Sequence, residues 1–182
     1  MIILLLIYIA LVALFASEEA RADAIDIRNG KPIRHADAWK ERACVAAFGA
    51  LIVSEMHLFW VWGLGPFLWH FAGLCVVAYG AFTVVFRWKL NRLRGMDWRY
   101  VSPSSAYDWF FIWCAMPAPK EGGKLWHLFS HDTIGGARMK HAELYSSNLD
   151  FWTRIHRAGF IAYLVEGLAL LIGCAITLEL WK

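Results

Sequence analysis

FLWHFAGLCVVAYGAFTVVF, residues 67–86, is preceded by Gly63-Leu64-Gly65-Pro66 and followed at once by Arg87-Trp88-Lys89. It contains no acid, Lys or Arg. At about 1.5 Å per helical residue it is long enough to cross a hydrocarbon layer of about 30 Å. Lipid offers no partner to backbone amides, so such a stretch must satisfy them internally as a helix. The Gly-Pro breaker separates it from a second apolar run, residues 44–63, and the two together predict a helical hairpin.

Two further apolar runs lie at the ends of the chain, residues 160–180 and residues 2–16. The first run is short for a span, so a cleaved signal peptide is its alternative. No Lys or Arg precedes Ile2, however, and the expectation is an uncleaved anchor. The fold class expected is all-α and polytopic, with about four transmembrane helices and an interfacial amphipathic helical cap. Composition agrees: of 182 residues 59% are hydrophobic and only 18% charged, with eleven Trp, twelve Phe and six Tyr. That balance excludes disordered and collagen-like chains and is foreign to an ordinary soluble domain.

Residues 17–42 form a charged connection with six bases and six acids, and residues 87–157 carry eleven bases against six acids. The hairpin tip carries no base. The positive-inside rule places both charged segments in the cytoplasm and the N-terminus, hairpin tip and C-terminus outside, in a bacterial inner membrane or a phage-derived one. The basic excess of the longer segment calls for anionic headgroups as partner, and no nucleic acid is expected.

Residues 87–158 are too long and too apolar for a plain loop. Within them, residues 109–117 (WFFIWCAMP) are too short to cross and rich in the aromatics that favour headgroup depth, so they lie in the interface or form a re-entrant turn. Gly95 stands where a helix C′ residue is expected after the basic end Arg87 to Arg94. Between residues 138 and 157, His141, Tyr145, Leu149, Trp152 and His156 share one helical face, which predicts an amphipathic helix leading through Ala158-Gly159 into the last span.

Asn91, Arg94 and Gly95, followed by Tyr100, Ser104 or Ser105, and Asp108 behind an apolar hairpin, resemble small integral membrane proteins of phage and prophage type. The resemblance covers residues 80–108. It implies a phage or mobile-element origin and supplies no catalytic residue.

Polar residues inside apolar spans need a reason. Glu55 and Glu166 lie roughly 19 Å and 13 Å from the nearest flanking base, counted along a helix, so each must be protonated, paired or turned to a polar cavity. His57 and His70 sit one to two turns below the hairpin tip; with Glu55 nearby they are candidates to hold a metal ion or a haem, or to relay protons. The alternative is that each bonds a backbone carbonyl. In the cytoplasmic segment His127 and His131 stand four apart, next to Asp132 and ten residues before His141, a spacing from which one metal ion can be ligated. It resembles one histidine box of membrane di-iron oxygenases, but the chain has seven His in all and no adjacent pair.

Cys44, Cys75, Cys114 and Cys174 have no paired spacing and read as free thiols. Gly-rich phosphate loops, the Gly-x-Ser-x-Gly elbow and His-Glu-x-x-His are all missing from the sequence. The functional expectation is therefore a non-enzymatic membrane protein that assembles with itself or with partners, small residues such as Gly73, Gly80 and Gly173 allowing close helix approach between chains or within one. A histidine-liganded metalloenzyme or haem protein is the alternative, and proton or solute conduction in an oligomer a third reading.

Overall fold

The computed structural model describes residues 2–31, 35–55, 64–102, 105–115 and 149–179. Every regular element among them is helical: α1 (Ile2–Arg28), α2 (His35–Glu55), α3 (Leu64–Leu93), α4 (Ala106–Ala115) and α5 (Leu149–Glu179). They belong to two compact units, one formed by Met1–Gly95 with Val165–Lys182 and the other by Met96–Leu164. Among the described residues three helices carry segments long and apolar enough to cross a membrane: Ile2–Arg28, Leu64–Leu93 and Ile155–Glu179.

The first helix departs from expectation. It does not end with the apolar run at residue 16 but continues through the charged stretch to Arg28, so residues 17–28 are not a loop. Two local causes act together. Ala20 and Ala24 extend the buried face set by Leu5, Tyr8, Val12 and Ala16, at the three- and four-residue steps of one helix side. A stop signal arrives only at Gly30, whose φ of 68° belongs to the left-handed region. Its N–H donates to Ile27 O (3.1 Å) and that of Lys31 to Asp26 O (2.9 Å), the paired bonds of a Schellman cap. Gly95, also at φ 68°, ends α3 as its position promised.

Side-chain contacts fix the register of the first unit. Tyr8 lies beside Cys75, and Phe15 packs on Phe82 with ring centroids 5.8 Å apart; a constant offset in rising order makes α1 and α3 parallel. Tyr8 donates from its hydroxyl to Ala46 O (3.0 Å), while Arg42 reaches back to Glu19 and Asp23, so α2 runs antiparallel to α1. Against α3, the end of α5 descends in order: Gly73 meets Thr177, Val77 meets Gly173, and Gly80 meets Leu170. A Cβ added at Gly80 would lie 2.5 Å from Leu170 N and one at Gly173 2.6 Å from Val77 N, both backbone atoms that cannot yield. The small residues therefore join helices of one chain.

α2 is described to Glu55 and begins well before the expected span, carrying Lys40, Glu41 and Arg42 in its first half. α3 starts at Leu64, so the Leu64-Gly65-Pro66 part of the expected breaker forms the first helical turn, where a proline's missing N–H costs nothing. The remainder of the 44–63 run lies outside the described residues.

In the second unit α4 buries Phe111 and Ile112 against Val101, Ile155, Ala158 and Ala162. The first part of α5 supplies the last three, and the helix passes through Ala158-Gly159 without a break. Of the predicted amphipathic face, only the part from residue 149 onward is described.

Candidate functional site

Glu166 has no solvent exposure, and Arg87, at the end of α3, is its partner. Arg87 Nη2 donates to Glu166 Oε1 at 2.8 Å and Nε approaches Oε2 at 3.5 Å. The sequence placed Arg87 among the bases that end the span, whereas the fold turns it inward. Close approach of α5 at Gly80 brings the backbone of Glu166 against α3, and the seven residues from Gly80 to Arg87, about two turns, let the long side chain reach back to the carboxylate. Such a fork satisfies both charges where water cannot.

A second buried guanidinium lies on α2. Arg42 Nε donates to Glu19 Oε2 (2.9 Å) and Nη2 to Asp23 Oδ2 (3.0 Å), and its Cζ stands 4.5 Å from the ring centroid of Phe86 and 5.5 Å from that of Phe82. Glu19 and Asp23 are four residues apart on α1 and so share the face that α2 covers. The helical extension to Arg28 is what presents them. Three helices thus converge on one cation.

His70 is fully buried and its Nδ1 is 3.1 Å from Ser54 Oγ on α2, donor and acceptor being set by the imidazole tautomer. This bond ties α2 to α3 one residue before Glu55, whose side chain is outside the described residues. His57, His127, His131, Asp132 and His141 also lie outside them, so neither the candidate site of His57 with His70 nor the cytoplasmic metal set is described. Among the described residues no three His, Cys, Asp or Glu gather closely enough to hold a metal ion. None of the four cysteines forms a disulfide.

In the second unit Asp97 accepts from Arg99 Nε (3.1 Å), Nη2 (3.3 Å) and backbone N (2.8 Å). These hydrogen bonds hold the Asp97 carboxyl below its ordinary range, with a smaller contribution from the charge of nearby His156.

No family model, curated protein or solved structure matches the chain. The phage-type resemblance therefore rests on residues 80–108 alone.

Sequence reading found Glu166 and missed its partner. The missing signal was geometric: a carboxylate within a span asks for a cation at the same depth on an antiparallel neighbour. Arg87 satisfies that condition once α3 and α5 are aligned.

Proposed function

We propose that the protein is a non-enzymatic integral membrane protein that works by assembling with itself or with partner membrane proteins. One observation carries the reading. The buried charges of the described helices in the first unit are paired between its own helices, Arg87 with Glu166 and Arg42 with Glu19 and Asp23, and Ser54 meets His70 in the same way. What residues 2–14 of α1 and residues 165–178 of α5 turn outward is apolar, including Ile3, Leu6, Leu11 and Leu14 on the one and Leu168, Leu171 and Ile172 on the other. Only lipid or another apolar helix covers such faces.

In this reading α2 continues past Glu55 as a fourth span. The two base-bearing segments face the cytoplasm of a bacterial inner membrane or a phage-derived one, and the segment that contains α4 forms an interfacial cap. Glu166 is committed to a guanidinium, which argues against its carrying protons through an oligomer.

Copies labelled with donor and acceptor dyes, reconstituted together in phosphatidylcholine vesicles, test the proposal. Energy transfer should persist as the protein is diluted tenfold in lipid. Transfer that falls to the value for random mixing, with no cross-linked partner recovered from cells, would sink it. Near-stoichiometric iron, zinc or haem on the purified chain would replace it by the histidine-liganded reading.

A further inference from the structure

We infer that the second unit holds a site for the phosphate headgroup of an anionic phospholipid, with Arg99, His156 and Arg157 around the phosphate. The inference rests on the membrane reading above and gives its lipid partner a place.

A cavity of about 630 Å³ opens in this unit, within the range of small-ligand pockets. From α5 its wall receives His156, Arg157, Phe160 and Ile161, whose spacing puts them on one helical face. Arg99, from the turn after α3, and Ala115, at the end of α4, also line it. Along α5 the lining changes within one turn from imidazole and guanidinium to phenyl and sec-butyl groups. That change occurs in the first turns of the candidate span Ile155–Glu179, where a bilayer passes from headgroup to acyl chain. A free anion has no use for the apolar half of such a wall, but a phospholipid matches both halves.

The cationic part is fixed in advance. A Cβ at Gly159 would collide with the carbonyl of Arg99, so only glycine lets that turn lie flat on α5. One residue earlier, Trp98 packs on Tyr163 with centroids 5.2 Å apart, and the Tyr163 hydroxyl donates to Trp98 O at 3.0 Å. Asp97 aims the Arg99 guanidinium and offsets part of its charge, which leaves Arg157 as the larger source of attraction. Asp97 takes the Nε and Nη2 side of Arg99, and the Nη1 side, held in place by that contact, binds phosphate without the entropy cost of ordering it first.

Native mass spectrometry of the full chain in dodecyl maltoside reads the site directly, with dioleoylphosphatidylglycerol, dioleoylphosphatidylcholine and inorganic phosphate as probes. The wild type should retain one phosphatidylglycerol with a preference of roughly tenfold over phosphatidylcholine, about 1.4 kcal/mol. Arg157→Gln and Arg99→Gln should each reduce that preference, their combination should abolish it, and Arg28→Gln, at the end of α1, should leave it intact. Helical circular dichroism equal to wild type establishes that the variants are folded. Equal retention of the two lipids by the wild type, or undiminished preference in the double variant, overturns the site. Displacement by millimolar inorganic phosphate overturns the lipid as its ligand. Flotation with pure phosphatidylcholine vesicles tests membrane insertion separately: a chain that floats yet shows no preference loses the site and keeps the membrane reading, and one that does not float loses both.

Discussion

Arg42 and Arg87 are both buried guanidiniums at helix junctions of the first unit, yet they are neutralised differently. Arg87 meets one fully buried carboxylate, so charge is closed within the pair. Arg42 meets two carboxylates that keep 30% and 14% of their side-chain exposure, and two aromatic rings cover it. The first arrangement is all or none, because loss of either member alone strands the other charge. The second is graded: water still reaches the acids, and the cation has several partners.

The largest effect should therefore come from Glu166→Ala, which leaves Arg87 buried and is expected to cost about 3–5 kcal/mol. Replacing both members together, Arg87→Met with Glu166→Leu, should restore or exceed wild-type stability. The midpoint of unfolding in mild detergent distinguishes these outcomes, and equal loss in both variants would mean that the pair is not a closed unit.

Arg42→Met should cost less, roughly 1–3 kcal/mol, since Glu19 and Asp23 can turn to water. Arg42→Lys should recover only part of the loss, because an ammonium has neither the planar fork nor the stacking surface. A penalty for Arg42→Met as large as that for Glu166→Ala would remove the distinction between the two sites.

The smallest effect belongs to the exposed pair of the second unit. The Asp97 carboxyl is depressed by Arg99, so what it adds to stability is complete above the ordinary carboxylate range and is lost as pH falls through its lowered value. Carboxyl NMR titration should show Asp97 moving back toward its ordinary value in Arg99→Gln. No movement would show that the contact does not persist in solution.

Much of this was legible in residues 67–86, where an uncharged apolar run of spanning length admits one backbone solution. Helix ends were less legible. The apolar run at the N-terminus closes at Ala16, but hydropathy does not register that Ala20 and Ala24 are small enough to carry the buried face onward. The glycines could be flagged as small, yet only alignment of α3 with α5 reveals that Gly80 and Gly173 serve contacts inside one chain. Arg42 and Arg87 were hidden for a related reason. A base beside an apolar run has the same local appearance whether it anchors at the surface or turns inward.

The Arg87 pair also imposes an order on synthesis. Arg87 is made 79 residues before Glu166, an interval of roughly 4 to 16 s at usual translation rates. Arg42, by contrast, trails Glu19 by only 23 residues, so its acids are already waiting. During its longer interval Arg87 has no Glu166 to meet, and the place where a guanidinium without its carboxylate is cheapest is the headgroup layer. In the membrane reading it thus has two successive occupations: a surface anchor while α3 is new, then an interior contact once the last helix arrives to draw it in.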